Sequence, residues 1–343
     1  MTKPPKVSIG LPVYNGEHYL QDAVRSILCQ TFGDFELIIS DNASSDRTEH
    51  LCRDLAARDA RVRYHRNDRN IGAAANYNRC VELAQGTYFK WSAHDDLIAP
   101  SYLDRCVEVL DAHPDVVLCH SLVELIDEHG RHLADYDPAG LGTAAARPSD
   151  RLAGRLRTSW CKEVFGLIRA DPLRQSVLIG NYVGSDMTLL AELALRGRFV
   201  MVPQALALNR DHGRRSTRAH PYSRQRREWF GPPGDRRTAF FQWRHHALLV
   251  GLIRRWIDDP RERWRCYAQL LRWLILRGRA APLLLEPLFV LAPGTFESFE
   301  RLKAALGRGR RRHLRLRARS NGPPRDRPRA TPRAPRLADR LES

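Results

Sequence analysis

Residues 7–16 read VSIGLPVYNG, and this stretch is the clearest structural signal in the chain. Its first five residues form a short, largely apolar run, which is typical of a fully buried strand. Proline cannot donate a hydrogen bond to a sheet, so Pro12 predicts that the backbone leaves the sheet at that residue. The freed backbone groups, together with Tyr14 and Asn15, could then meet a nucleoside base, although an ordinary strand-to-helix turn explains the same pattern.

Further apolar runs alternate with segments of helical spacing along the first 120 residues. The predicted strands cover residues 35–39, 62–65, 87–91 and 116–119. This alternation predicts an α/β fold with a mostly parallel sheet and helices on both faces. Ligands of such sheets bind where the carboxyl ends of strands lead into loops. Polar residues at those places are therefore the candidate site residues.

The pattern is less regular in the second half of the chain. Residues 127–150 are predicted to form turns and a loop, whereas residues 199–202 and 206–208 are predicted to be two short strands. Residues 210–238 are polar and rich in Arg, Gly and Pro, which predicts a flexible loop.

Two helices with an apolar face are predicted over residues 241–257 and 261–276, with arginines flanking both apolar stripes. Basic amphipathic helices of this kind can lie in a lipid interface. A helical hairpin that packs on the catalytic domain explains the pattern equally well. The apolar run at 281–292 is interrupted by Glu286 and Pro287 and is too short to span a bilayer.

Much of the net charge of +17 lies at the C-terminus, where residues 301–343 hold 15 Lys or Arg and three Asp or Glu. The Arg- and Pro-rich composition from about residue 308 predicts disorder. A basic tail suits an acidic partner, such as phospholipid headgroups, a phosphorylated lipid acceptor or a nucleic acid. We therefore expect an α/β domain over residues 1–216, a loop and amphipathic helices over 217–300, and a disordered basic tail over 301–343.

Two features bear on the location of the protein. The N-terminus lacks the uninterrupted apolar segment of a signal peptide. The seven cysteines are odd in number, scattered along the chain and without a CxxC pair. Reduced thiols in the cytoplasm are therefore expected rather than disulfides or a zinc site.

A polar cluster, SDNASSD at residues 40–46, follows the second predicted strand. An acidic residue in this place can accept hydrogen bonds from a ribose or a base, as in dinucleotide-binding folds. Helix capping is the alternative, and it explains Ser45 or Asp46. Helix capping does not explain Asp41, so Asp41 is the residue expected to bind the nucleoside.

Asp95 and Asp96 follow the strand predicted at residues 87–91. Adjacent carboxylates at a strand end repel each other, and a divalent cation relieves that repulsion. Mg²⁺ or Mn²⁺ prefers oxygen ligands and is commonly shared between one or two carboxylates and substrate phosphates. The alternative is a solvated turn, or an N-cap for the helix that begins near Pro100.

Two later clusters carry further candidates. Asp186 precedes a predicted helix, where it suits either an N-cap or a general base that deprotonates a sugar hydroxyl. His212 lies in the basic segment NRDHGRRS at residues 209–216. Such a segment suits contact with a pyrophosphate, or a histidine ligand to the same metal, and the alternative is a solvated charged loop.

Together and in this order, the clusters resemble the family 2 glycosyltransferases of the GT-A fold over about residues 6–216. The resemblance rests on the opening segment and on the residues that follow it: Leu20, Ser26, Ile27, Gln30, Thr31 and residues 35–39, FELII. It implies a Rossmann-like GT-A fold. It also implies an inverting, metal-dependent transfer of a sugar from a nucleotide-diphosphate sugar to a glycan or lipid-linked acceptor, in cell-surface polysaccharide biosynthesis.

The resemblance further implies a role for each candidate residue. Binding of the nucleotide sugar is implied for Pro12, Tyr14, Asn15, Asp41, Asn76, Asp95 and His212. Binding of Mg²⁺ or Mn²⁺ is implied for Asp95, Asp96 and His212. Asp186 matches the catalytic base. Asn76 or Tyr77 stands where a further family motif has an arginine, and Ala93 stands where the metal-binding signature commonly has an aspartate.

The sequence also leaves open two other functions of the protein and one further binding partner. A nucleotidyltransferase would carry a glycine-rich, basic phosphate loop near the N-terminus, and residues 12–16 do not have that composition. A nucleic-acid-binding role would rest on the basic tail, which lacks interleaved aromatic residues and any recognisable reading module. An anionic membrane surface is the partner that the C-terminal helices favour, with a peripheral location on the inner face of the plasma membrane.

Overall fold

The structure is a computed structural model that describes residues 3–158, 160–215, 229–230, 241–276 and 283–286. Nearly all of these residues belong to the first of two compact units, which spans residues 1–280. The flexible loop predicted at 210–238 lies largely outside the described residues, and the disordered tail predicted from residue 308 lies wholly outside them.

Four parallel strands form the first half of the sheet, in the order β3-β2-β1-β4. They are β1 (Val7–Val13), β2 (Phe35–Asp41), β3 (Val62–Arg66) and β4 (Tyr88–Trp91). The helices between them are α1 (Leu20–Leu28), α2 (Thr48–Arg58) and α3 (Ala73–Leu83). Every residue of β1, β2 and β4 is buried, as expected for parallel strands that are covered on both faces. The α/β prediction is confirmed.

Pro12 does not end β1, contrary to the prediction. The strand continues to Val13, with Pro12 opposite Ser40 and Val13 opposite Asp41 of β2. A proline lacks the N–H donor, but carbonyl groups can still accept, and the Val13 carbonyl accepts from the N–H of Asn42 at 2.9 Å. The backbone therefore turns away from the sheet after Val13.

The second half of the sheet is mixed and continues the order as β4-β8-β6-β9-β5, with β7 paired to β6. The strands are β5 (Leu97–Ile98), β6 (Val116–Ile126), β7 (His132–Tyr136), β8 (Leu167–Arg169) and β9 (Arg198–Arg210), and α4 (Tyr102–Ala112) separates β5 from β6. Strand β8 runs antiparallel to both β4 and β6, whereas β6 and β9 are parallel.

Two predictions about this half need correction. The segment 127–150, predicted to be a loop, contains β7 and the start of α5 (Pro148–Leu156). Strand β7 is almost entirely exposed, so it lacks the alternation of buried and exposed residues that marks a strand in a sequence. The two short strands predicted at 199–208 are one strand, β9, which passes Pro203 through an irregularity in its register with β6.

The C-terminal helices pack on the α/β core. They are α8 (Phe241–Trp256) and α9 (Pro260–Leu276), and they follow α6 (Ala170–Arg174) and α7 (Ser185–Arg196). Their inner faces share one hydrophobic cluster with α5 and α7, comprising Leu152, Leu156, Ala191, Leu195, Leu249, Leu252, Ile253, Ile257, Cys266, Leu270 and Trp273. Both helices were predicted, and their packing on the core is the second of the two alternatives above. Among the helices described, none has the length and hydropathy that crossing a bilayer requires.

Gly10 marks the closest packing in β1. A methyl group at this position would lie 2.5 Å from Cβ of Cys80 in α3 and 2.8 Å from Cζ of Phe89 in β4. Gly10→Ala should therefore lower the free energy of unfolding by about 1–3 kcal/mol, the usual effect of overpacking a core. Urea denaturation measures this change.

Gly33→Ala is the matched control, because nothing lies within 4 Å of its added methyl group. Its effect should stay within about 0.5 kcal/mol, as is usual for surface changes. Equal unfolding free energies for the two variants would contradict the tight packing at Gly10.

Candidate active site

Asp41 ends β2 and is fully buried. Its Oδ1 accepts a hydrogen bond from the N–H of Ser44 at 2.9 Å. Its Oδ2 accepts from the hydroxyl of Tyr64 at 2.8 Å and from Nη1 of Arg66 at 3.0 Å. Burial and the Asp41 carboxylate raise the pKa of Tyr64. The carboxylate thus fixes the loop after β2, and the partly exposed guanidinium of Arg66 lies beside it.

Asn15 joins the loop after β1 to the loop after β2. Its φ of 52° is left-handed, a conformation that asparagine adopts more readily than most residues. Its N–H donates to Oγ of Ser44 and its Oδ1 accepts from the N–H of Ser45, both at 2.9 Å. The neighbouring Tyr14 is 46% exposed, so its ring is available to a planar ligand at this edge of the sheet.

Asn76 lies in α3 beneath the same edge and is buried. Its Nδ2 donates to the carbonyl of Ser40 at 2.8 Å. Its Oδ1 accepts from Oγ of Ser40 at 2.7 Å and from Nδ2 of Asn67 at 2.9 Å. The amide therefore holds the ends of β2 and β3 together, and its direct contact with a nucleotide stays a prediction.

Asp95 and His212 meet although 117 residues separate them. Nε2 of His212 lies 2.8 Å from Oδ2 of Asp95, and both side chains are largely buried. Burial raises the pKa of Asp95, but the hydrogen bond with His212 and the nearby positive groups outweigh it, so the pKa lies below its usual value. Asp95 is therefore an ionised acceptor, to which the imidazole N–H donates.

Asp96 points to the end of β9 instead. Its Oδ1 accepts from the N–H of Arg210 at 2.8 Å, and its Oδ2 accepts from the amide of Asn209. Burial and the neighbouring Asp95 raise the pKa of Asp96 to about 6. The two adjacent carboxylates thus face different partners, which reduces their mutual repulsion.

Arg210 connects these groups to the rest of the edge. It is buried, and its Nε donates to the carbonyl of Asp95 at 3.1 Å while its Nη1 donates to the carbonyl of Glu128 at 3.0 Å. Its guanidinium lies 4.9 Å from the ring centre of Tyr19, whose ring also lies 4.6 Å from that of His212. Arg210 thus contacts both the Asp95 turn and the aromatic ring that lies beside His212.

Asp186 is the second residue of α7. Gly184, which directly precedes that helix, has a φ of +88°. Its Oδ1 accepts from the N–H of Met187 at 2.9 Å. Burial raises the pKa of Asp186, while that hydrogen bond and another from the thiol of Cys161 counteract the rise. The carboxylate keeps acceptor capacity beyond these bonds, because an ionised carboxylate has about four lone-pair sites.

The three acids lie within electrostatic reach of one tyrosine, and two of them within reach of a lysine. Burial raises the pKa of Tyr77, and Asp95, Asp96 and Asp186 each add to that rise. Burial lowers the pKa of Lys162 to about 8, with Arg215 lowering it further and Asp96 opposing this effect. Three carboxylates, a phenol and a lysine thus share one partly buried region at the carboxyl edge of the sheet.

The donor chemistry of Asp95 and His212 fits a shared divalent cation. Among the residues that the structure describes, no three His, Cys, Asp or Glu side chains group together in a way that could hold a metal by themselves. A carboxylate and an imidazole nevertheless suit Mg²⁺ or Mn²⁺ when substrate phosphates complete the coordination. Nδ1 of His212 is buried and has no hydrogen-bond partner in the described part of the chain, and Nε2 is the nitrogen that faces Asp95. Both oxygens of Asp96 are hydrogen-bonded, and a cation would have to share them.

The structure therefore brings the predicted residues into two neighbouring groups. Pro12, Tyr14, Asn15, Asp41 and Asn76 surround the ends of β1 and β2, and Asp95, Asp96, Asp186 and His212 lie toward β9 and α7. Sequence reasoning missed Tyr64, Arg66, Cys161 and Lys162. The alternate spacing of Tyr64 and Arg66 in β3 was a usable signal, because such residues share a face.

Comparison with known proteins covers the first group and part of the second. Residues 8–152 match the sequence model of the family described as Glycosyl transferase family 2. That range contains the β1 and β2 group together with Asp95 and Asp96, whereas Asp186 and His212 lie beyond it.

Curated relatives match a stretch of similar length. An uncharacterised glycosyltransferase of Methanocaldococcus jannaschii is 32% identical over 136 residues, which is 39% of this chain and 47% of that protein. An uncharacterised glycosyltransferase of Rickettsia typhi is 34% identical over 134 residues, which is 38% of this chain and 41% of that protein. The chain thus spans less than half the length of these relatives.

Solved structures extend the likeness to most of the fold. S. aureus TarS 1-349 superposes with a TM-score of 0.58 at 15% sequence identity, over 82% of this chain and 75% of that chain. The complex of the same protein with UDP gives a TM-score of 0.57 at 15% identity, over 78% and 72%. At this identity the likeness concerns the fold, which is of the GT-A type.

Proposed function

We propose that the chain, whose residues 8–152 match the model of glycosyl transferase family 2, transfers a sugar from a nucleotide-diphosphate sugar to a glycan or lipid-linked acceptor. The observation that supports this most is the convergence of the Asp95–His212 pair and Asp186 at the edge where Asp41 and Tyr14 also lie. A nucleoside, a diphosphate and a reacting sugar need these three kinds of group side by side.

The donor nucleoside is assigned to the ends of β1 and β2. The ring of Tyr14 is exposed for stacking, and Pro12 and Asn15 shape the adjoining backbone. Asp41 is already bound by Tyr64 and Arg66, so the base or ribose would meet an Asp41–Arg66 pair rather than a free carboxylate. UDP is bound by TarS in one of its crystal structures, so a pyrimidine nucleoside diphosphate is the first ligand to test here.

The diphosphate is assigned to Asp95, Asp96 and His212 with a divalent cation, Mg²⁺ or Mn²⁺. A bound cation would stabilise the negative charge that develops on the departing diphosphate. Asp95 and His212 lie 2.8 Å apart, so a cation bound by both would replace the hydrogen bond between them. Lys162, within electrostatic reach of Asp95 and Asp96, adds positive charge to the same region.

Asp186 is assigned as the general base of a single displacement. It would accept the proton of the acceptor hydroxyl while that oxygen attacks the anomeric carbon. The bond from the anomeric carbon to the diphosphate breaks in the same step, with inversion at that carbon. Burial that raises the pKa of Asp186 suits this role, because a base with a pKa nearer neutrality accepts a proton more readily.

A membrane-surface location is proposed for the outer face of α9. Trp264, Leu271 and Ile275 recur there at helical spacing and are 73%, 57% and 61% exposed. Exposed Arg261, Arg265 and Arg272 lie beside this stripe. Apolar side chains flanked by arginine suit an anionic lipid interface. Such a surface would hold a peripheral enzyme near a lipid-linked acceptor in cell-surface polysaccharide biosynthesis.

Asp95→Ala tests the donor site. Wild-type protein is expected to bind one nucleoside diphosphate from a panel more tightly with Mn²⁺ than without, because the cation bridges the phosphates and the acid. In the variant the gain in affinity that Mn²⁺ gives should disappear. The Kd measured with Mn²⁺ should therefore rise at least about tenfold, which is about 1.4 kcal/mol of binding free energy. Calorimetric titration gives both values.

Asp34→Ala is the control for that experiment, since Asp34 is exposed and lies just before β2, at the opposite end of that strand from Asp41. It should bind the diphosphate like the wild type. If the wild type bound no nucleoside diphosphate, with or without Mn²⁺, the proposed function would be refuted.

Cys161→Ala tests the base through its pH dependence. Asp186 must be ionised to accept a proton, so activity should rise as pH increases through its pKa. The Cys161 hydrogen bond lowers that pKa, and removing it should move the rising limb of the kcat/KM profile to higher pH. Cys161→Ser keeps a donor and should leave the limb near its original position. An unchanged limb in Cys161→Ala would argue against Asp186 as the base.

A Trp264→Ala/Leu271→Ala double variant tests the lipid interface. Wild-type protein should co-sediment with vesicles containing phosphatidylglycerol and much less with pure phosphatidylcholine. Removal of two large apolar side chains should reduce binding to anionic vesicles at moderate salt by about tenfold or more. Equal co-sedimentation of the double variant and the wild type would refute a role for this face. Leu133→Ala, another exposed apolar truncation, serves as the control.

A further inference from the structure

An aromatic stack lies outside the donor groups described above. The rings of Tyr136 in β7 and Trp160 are nearly parallel, with an interplanar angle of 16° and centroids 5.2 Å apart. Tyr136 covers one face of the indole, yet Trp160 is still 48% exposed. A tryptophan held flat at the surface by a second ring presents a preformed apolar plate to solvent.

One buried ion pair fixes both rings. Nη1 of Arg155 lies 3.0 Å from Oε1 of Glu163, and the two side chains are 1% and 2% exposed. Nη2 of Arg155 donates to the carbonyl of Trp160 at 3.1 Å, and the hydroxyl of Tyr136 donates to Oε1 of Glu163 at 3.3 Å. Buried ion pairs are weak sources of stability, and their better attested use is to specify one geometry. Here that geometry is the orientation of the stack.

The same elements connect the stack to the proposed base. Trp160 is followed directly by Cys161, whose thiol hydrogen-bonds to Asp186. The charge of Arg155 also acts on the Asp186 carboxyl. Tyr136 belongs to the hairpin of β6 and β7, whereas Asp41 ends β2 in the other half of the sheet. Cys161 and Arg155 thus link the stack to the base, and the hairpin that carries Tyr136 lies in the other half of the sheet from Asp41.

We propose that the Tyr136–Trp160 stack is the acceptor subsite and that its ligand is a pyranose ring. This proposal rests on the proposed function, because it takes Asp186 as the group that receives the acceptor proton. A pyranose has a face of C–H groups that packs on an aromatic plane, while its hydroxyls project from the rim. Packing on Trp160 would direct one rim hydroxyl toward Asp186. The attacking hydroxyl would then belong to a sugar ring rather than to a lipid, a peptide or a phosphate group.

The experiment compares full-length wild type, Trp160→Ala, Trp160→Tyr and Leu133→Ala. Leu133 is an exposed apolar residue of the same strand as Tyr136 and lies on its opposite face. The donor is the sugar derivative of whichever diphosphate binds in the calorimetric panel. The acceptor probes are methyl pyranosides and unmodified disaccharides, which carry no aromatic group of their own. Release of the diphosphate is measured against donor and acceptor concentration.

In the wild type, at least one pyranoside should accelerate diphosphate release above the rate of donor hydrolysis by water. Trp160→Ala should raise the KM for that pyranoside about tenfold relative to the KM for the donor. Trp160→Tyr should recover most of the loss, because it restores an aromatic plane, and Leu133→Ala should match the wild type. This split between the two KM values would not follow from general damage to the fold.

Two results would overturn the proposal. One is an unchanged acceptor KM in Trp160→Ala. The other is a wild type that binds the diphosphate and hydrolyses the donor but is accelerated by none of the pyranosides. Both differ from failure of the proposed function itself, in which the wild type binds no diphosphate and releases none from any donor.

Discussion

Strand β1 is hydrogen-bonded in parallel to β2 on one side and to β4 on the other, and all seven of its residues are buried. A slip of one residue would turn each side chain to the opposite face of the sheet, so the register is strongly specified. The carboxyl ends of β1, β2 and β4 are therefore held side by side. Asp41 lies at this common edge, and the loops that carry Asn15 and Asp95 start from it. The three residues are therefore near one another because β1 pairs with both β2 and β4.

The edge is completed by contacts that cross from the second half of the sheet. Arg210 at the end of β9 reaches the carbonyls of Asp95 and Glu128, and His212 reaches the carboxylate of Asp95. Because the groups that hold the Asp95–Asp96 turn come from a distant part of the chain, the acids acquire their different environments only in the folded state. Two identical side chains, adjacent in sequence, thus have pKa values displaced in opposite directions.

The local sequence predicts the first half of the fold well, since β1 to β4 are short apolar runs separated by helical spacing. It also marks Asp41, Asp95, Asp186 and His212 as candidates, because each lies at or just after the end of a strand or at the start of a helix, and their roles stay predictions. It does not predict β7, whose exposed residues have no apolar pattern, nor the antiparallel entry of β8 between β4 and β6. The contacts of Cys161 with Asp186 and of Arg66 with Asp41 depend on tertiary packing. Residue type and spacing alone therefore could not reveal them.

The antiparallel strand β8 lies between the parallel strands β1 to β4 and the rest of the sheet. The match to the family model spans residues 8–152, so it includes β1 to β7 and ends before β8. Beyond residue 152 the chain matches mainly in its backbone course. Strands β8 and β9, Trp160 and the C-terminal helices all lie in that later part. Because β1 pairs with β2 and β4, substitutions in those later elements can accumulate while the register that aligns the carboxyl ends of β1, β2 and β4 is kept.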